Sequence, residues 1–125
     1  MALSGRAGRY AYISSRSVYT FPTAAGADES APVVDASPDD DTFDDYARAK
    51  AGSELGALAA FSDRALIVRP GLILGPRENI GRLPWWLTRI ARGGPVLSPG
   101  PADQGIQYVD SRDLAAWTLA MLDAD

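Results

Sequence analysis

Ala65-Leu-Ile-Val-Arg-Pro-Gly-Leu-Ile-Leu-Gly-Pro76 is the stretch on which the fold class turns. The run Ala65 to Arg69 is almost continuously apolar, as expected of a parallel strand buried on both faces. Pro70-Gly71 ends it, because proline has no N–H to give to a ladder. Leu72 to Pro76 then leads into a loop. Short apolar runs alternate with helical patterns on either side, and that alternation specifies α/β architecture.

Upstream, a helix is expected from about Phe43 to Phe61. Thr42-Phe-Asp-Asp45 has the form of a capping box with Asp in place of Glu, and its carboxylates suit the positive end of a helix. The acidic residues Asp39-Asp40-Asp41 before it lack the alternating spacing of a cation loop, so no metal site is expected there. The helix is rich in small residues, among them Ala47, Ala51, Gly52, Gly56, Ala59 and Ala60. Glycine inside a helix costs up to about 1 kcal/mol relative to alanine. Gly52 and Gly56 therefore reflect either close packing against a neighbour or a compositional bias of the coding sequence.

Tyr46-Ala-Arg-Ala-Lys50 opens that helix. Residues four apart share a helix face, so the phenol and the ammonium are neighbours. An ammonium beside a phenol favours the phenolate, which makes Tyr46 a candidate proton-transfer group. The chain has no histidine and no cysteine. Imidazole bases, Ser-His-Asp triads, thiolate nucleophiles and thiolate-held metals are thereby excluded. Tyr, Lys, Asp and Glu are left to move protons.

Further upstream, Tyr10-Ala-Tyr-Ile-Ser14 is a strand candidate that runs directly into Ser14-Ser15-Arg-Ser-Val-Tyr19. In open α/β sheets ligands sit beyond the carboxyl ends of strands, where such serines could hydrogen-bond a substrate. The bland alternative is a polar strand end. Thr20 to Asp41 reads as loop.

Downstream, a second helix is expected at about Leu83 to Arg92, with Pro84 in its first turn and Gly93-Gly94-Pro95 as its stop. Trp86, Leu87 and Ile90 fall on one side. Core packing is the expectation for that stripe, with a substrate wall at Trp85 or Trp86 as the alternative. Ile106 to Val109 is another strand candidate. Asp110-Ser-Arg-Asp113 then starts a helix whose apolar face is Leu114, Trp117, Thr118, Met121 and Leu122.

The 125 residues suit one domain, 46% hydrophobic and 22% charged, with a net charge of −4 and a pI of about 4.7. Nucleic acid is not an expected partner, since phosphate binding needs a basic surface. No run approaches the ~20 apolar residues of a membrane span. Residues 1–9 read as a loop or a helix end and lack the apolar core of a signal peptide, so a cytoplasmic location is expected.

Four motifs in order now resemble one family. They are Ser14-Ser15-x-Ser-Val-Tyr19, Tyr46-x-x-x-Lys50, Val68-Arg-Pro-Gly-Leu-Ile-Leu-Gly-Pro76 and Tyr108-Val-Asp110 before a helix. Together they resemble the extended short-chain dehydrogenase/reductases of the NAD-dependent epimerase/dehydratase type, over about residues 8–122. The resemblance implies a partial Rossmann-like fold, doubly wound and three-layered around a mainly parallel sheet. Residues 1–125 would be the central-to-late part of an NAD(P)-binding domain. Catalytic roles fall to Ser15, which would hydrogen-bond the reacting oxygen, to Tyr46 as general acid/base, and to Lys50. Lys50 would also hold the nicotinamide ribose, with Pro70, Gly71 and Leu72 along the nicotinamide. Arg77 and Arg82, in the loop after Pro76, would face the substrate beside Ser15. The cofactor would be NAD or NADP. The substrate would be a small molecule, such as a nucleotide sugar or another hydroxy or keto compound. A homodimer through the 43–61 helix is a further implication.

One departure stands out. The family's glycine-rich βα turn, which cradles the pyrophosphate at a helix N-terminus, has no counterpart in this sequence. The resemblance therefore implies either the catalytic segment of an oxidoreductase, epimerase or dehydratase, or a module that keeps the fold without turnover.

Overall fold

A computed structural model describes residues 3, 5–39 and 44–124. The capping residue expected at Thr42, the helix start expected at Phe43 and the acidic pair Asp40-Asp41 lie outside the described residues. Strand β1 spans Tyr10–Ile13, and helix α1 spans Tyr46–Phe61. Strands β2 and β3 span Ala65–Val68 and Leu72–Leu74. Helix α2 covers Arg82–Ala91, strand β4 Tyr108–Asp110 and helix α3 Ser111–Asp123.

The strands form two parallel pairs. β1 lies beside β2 in the register Tyr10 to Ala65 through Ile13 to Val68. β3 lies beside β4, with Leu72 opposite Tyr108 and Leu74 opposite Asp110. The first pairing runs on past its strands, since Ser14 N donates to Val68 O at 2.7 Å and Arg16 N to Pro70 O at 2.9 Å. The chain crosses from one pair to the other at Arg69-Pro70-Gly71. Helices α1 and α3 both pack on β1 and β2. The result is a partial Rossmann-like α/β fold of parallel strands flanked by helices.

Alternation along β1 sends Tyr10 and Tyr12 to the α1 side. There Tyr10 stacks on Phe61, with ring centroids 4.6 Å apart, and the Lys50 ammonium lies 5.0 Å from the Tyr12 ring centre. Val18, Ala51, Ala57, Phe61 and Val68 are the buried apolar residues, and Val18 has no exposed surface at all. They gather around the first strand pair. α1 starts three residues later than expected, because the Asp45 carboxylate accepts from Arg48 N at 3.1 Å and so caps it.

Several expectations need correction. Leu72 to Leu74, not singled out as a strand in the sequence, is one, since Leu72 N finds Gln107 O at 3.0 Å once the chain has passed Pro70. The β2 run is buried only at Val68, while Ala65 to Ile67 are half-buried. The α2 stripe is not core: Leu87 and Ile90 are 59% and 58% exposed, and Trp86 is half-buried. In α3, Thr118 is buried but Trp117 and Met121 stay exposed. Gly52 is buried in α1, whereas a side chain at Gly56 would meet open space, so close packing does not explain Gly56 within this chain.

Candidate functional site

The carboxyl ends of β1, β2 and β3 converge on a cleft of about 790 Å³. Ser15 reaches it from the turn after β1 and Tyr46 from the first position of α1. Pro70, Gly71 and Leu72 contribute the crossing between the strand pairs, and Arg77 and Arg82 the segment after β3. Seven of the eight expected site residues thus share one cleft. The eighth, Lys50, is not among its walls.

Lys50 sits one turn behind Tyr46. Its ammonium donates to Ile13 O at 3.0 Å and lies 5.9 Å from the Tyr46 ring centre. The carbonyl at the end of β1 therefore uses one of its three N–H donors. Tyr46 is 57% exposed, with its ring open to the cleft. Ser15 caps the short 3-10 turn Arg16–Val18, and its hydroxyl oxygen accepts from Ser17 N at 3.1 Å. That bond occupies a lone pair and leaves the hydroxyl hydrogen available to a ligand.

The cleft floor is held by two glycines. A Cβ at Gly71 would lie 2.7 Å from Gln107 O, so the crossing passes too close to the β4 approach for any side chain. Gly75 has φ 137°, a conformation that favours glycine, and a Cβ there would meet Ser111 Oγ at 2.6 Å. Arg77 also has a positive φ, 69°, which is uncommon for a residue with a side chain and concentrates at functional turns.

Under the cleft lies a polar network that the sequence reading missed. Glu54, only 4% exposed, receives Arg69 in a fork: Nε to Oε1 at 3.0 Å and Nη2 to Oε2 at 2.6 Å. Arg69 Nη1 also donates to Tyr19 Oη at 3.1 Å. The Glu54 hydrogen bonds raise the Arg69 pKa above its ordinary value, against the opposing effect of burial and with further help from Tyr19. A signal for this pair was present: Glu54 is the one carboxylate in the small-residue body of α1, four residues beyond Lys50. Arg69 directly precedes Pro70, so the network ties α1 and the Tyr19 loop to the cleft floor.

Neither Trp85 nor Trp86 lines the cleft, and the two rings meet each other edge to face at 4.8 Å. No helix among the described residues is long and apolar enough to cross a membrane.

Fold and cleft together define a parallel α/β protein with a Ser–Tyr–Lys set at its strand ends. The model of the NAD dependent epimerase/dehydratase family matches residues 1–125, and the chain belongs to that family. Members use a nicotinamide nucleotide and act on small molecules. Neither the curated proteins nor the solved structures contain a match to the chain.

Proposed function

We propose that this chain carries the proton-transfer and substrate-binding part of an NAD(P)-dependent oxidoreductase, epimerase or dehydratase of the extended short-chain type. The observation that carries the reading is that Ser15 and Tyr46 line one cleft, with the Lys50 ammonium one helical turn behind the phenol. Tyr46 Oη gives or takes the proton of the substrate oxygen. Ser15 donates its free hydroxyl hydrogen to that same oxygen. Lys50, held at Ile13 O, keeps two N–H donors that would bond the ribose of the cofactor.

The residues present fit the nicotinamide end of a cofactor. Pro70, Gly71 and Leu72 form the wall along which it would lie, and Gly71 fits there because a Cβ would meet Gln107 O at 2.7 Å. Bound there, the nicotinamide supplies or accepts the hydride. The pyrophosphate end has no glycine-rich turn in this sequence. That absence favours a second reading, a module without turnover, for this chain taken alone. Substrates would be hydroxy or keto compounds, nucleotide sugars included.

The test is a titration of residues 1–125 with NADH and NADPH, repeated after fusion to the glycine-rich half of a family member. The expected outcome is no micromolar binding by the chain alone, and hydride transfer by the fusion. Tyr46→Phe should lower that transfer at least about a hundredfold, the lower end of what a positioned acid or base contributes. Transfer unchanged in Tyr46→Phe would overturn the reading.

A further inference from the structure

Lys50 is the only lysine in the chain. Its ammonium donates to Ile13 O at 3.0 Å and lies 5.0 Å from the Tyr12 ring centre and 5.9 Å from that of Tyr46. Among the described residues no carboxylate pairs with it. One hydrogen bond fixes the reach of a lysine but not its direction, because the flexible four-carbon stem turns about each of its bonds. The Tyr12 ring supplies a second restraint. A ring face carries negative charge density and attracts an ammonium that lies within about 6 Å of its centre.

The placement comes from β1. Tyr12 stands opposite Ile67 in the parallel ladder, so its backbone is held by the pairing. Its side chain points to the α1 side, and the carbonyl of the next residue, Ile13, receives the Lys50 hydrogen bond. Two adjacent residues of one strand thus meet the ammonium, one with its ring and one with its backbone. Burial alone does not call for an aromatic residue here. Tyr12 is half-buried, and an aliphatic β-branched residue suits such a strand position as well. Tyr10, on the same face, turns its ring to Phe61 instead.

We propose that Tyr12 is a positioning residue that acts through Lys50, its ring holding the ammonium between the end of β1 and the Tyr46 phenol. The assignment rests on the proposed function for what Lys50 does once held, which is to meet the cofactor ribose. The ring face is the working part of Tyr12, and its hydroxyl is not needed. An aliphatic side chain at position 12 leaves the lysine tied by its hydrogen bond alone, free to swing away from the phenol.

NMR on the 125-residue chain grown with isotope-labelled lysine tests this, because a single lysine gives a single ε-methylene signal. No cofactor or substrate is added, so the result is independent of whether the chain binds NADH or transfers hydride. In wild type the Lys50 ε-methylene protons should lie upfield of free lysine, shifted by the ring, with the heteronuclear NOE of an ordered stem. Tyr12→Phe should keep both features. Tyr12→Leu should move the protons toward the free-lysine position and lower the NOE. Acylation of Lys50 by sulfosuccinimidyl acetate, located by mass spectrometry, should become about two- to fivefold faster in Tyr12→Leu, the factor that a cation–π contact at a partly exposed site represents. In Tyr12→Phe it should keep the wild-type rate. Tyr10→Leu removes the other ring on the same face and controls for a merely structural loss, so it should leave the Lys50 signal in place. Circular dichroism establishes that the variants remain folded. A wild-type signal at the free-lysine position would overturn the proposal without any variant. So would a signal and a rate unchanged in folded Tyr12→Leu, or a loss in Tyr12→Phe equal to that in Tyr12→Leu.

Discussion

Glu54 and Arg69 show how one pair of residues can carry the shape of the cleft. The Glu54 carboxylate is 5% exposed and the Arg69 side chain 22%, so neither charge is solvated well enough to stand alone. Removing one partner strands the other, at a typical cost of about 3–5 kcal/mol. Glu54→Ala should therefore lower the stability of the chain by about 3 kcal/mol, toward the low end because Arg69 keeps some contact with water. That loss is a large part of the total for a domain of this size. Urea denaturation followed by Trp fluorescence reads it as a lower midpoint at unchanged slope. Tyr19→Phe removes a single hydroxyl acceptor and should cost about 1 kcal/mol by the same measurement. A result in which Tyr19→Phe exceeds Glu54→Ala would reverse the assignment of which bond holds the network.

At the scale of elements, the crossing between the strand pairs and the start of α3 are the exposed points of the design. Gly71→Ala would drive a methyl to 2.7 Å from the Gln107 carbonyl. Backbone atoms cannot yield as a side chain tip can, so a loss of about 1–3 kcal/mol is expected, read as a lower melting temperature. At α3, Asp110 accepts from Arg112 N at 2.8 Å and pairs with its guanidinium at 2.7 Å. The Arg112 hydrogen bonds hold the Asp110 pKa down at about 2. An unfolded aspartate titrates near about 3.9. The folded pKa lies below the unfolded one, so this contribution to stability is full above pH ~4 and is lost as the pH falls through about 2. Asp110→Asn keeps a cap but cannot titrate, and it should flatten the acid unfolding curve between those limits in circular dichroism. The sequence made these elements legible to different degrees. The helix that carries Tyr46 and Lys50, the strand end at Pro70-Gly71 and the helix start at Asp110 are local signals, and each of these elements forms where the sequence placed it. The strand at Leu72–Leu74 was hidden because three residues carry no period, and its pairing depends on β4 some thirty-five residues later. The α2 stripe misled because periodicity reports an apolar face without saying what covers it. Glu54 was illegible as a site residue because its importance is set by burial, which one-dimensional spacing does not encode.

For the whole molecule, the distribution of apolar surface matters most. The buried residues gather around β1, β2 and α1, while Phe21, Leu97, Ile106, Leu87 and Ile90 all stand largely in solvent. Surface of this kind favours association, and a net charge of −4 opposes it weakly. We propose that the chain self-associates, with α1 as one contact face. Sedimentation velocity should show mass above the monomer that grows with concentration, and a strict monomer at high protein concentration would count against it. The division into two strand pairs has a last consequence, for motion. Each pair closes its own hydrogen bonds, and only Arg69 to Gly71 carries the chain directly from β2 to β3. Val68 of the first pair is fully buried and α1 packs its buried Ala51, Ala57 and Phe61 around that pair, whereas β3 and β4 are half-buried at best. Local opening is cheapest where burial is least, so the second pair can loosen while the first stays shut. The seam between them runs through the cleft floor. A molecule seated in the cleft against both Pro70 and Leu74 would bridge that seam, and its binding would hold the two pairs to one motion.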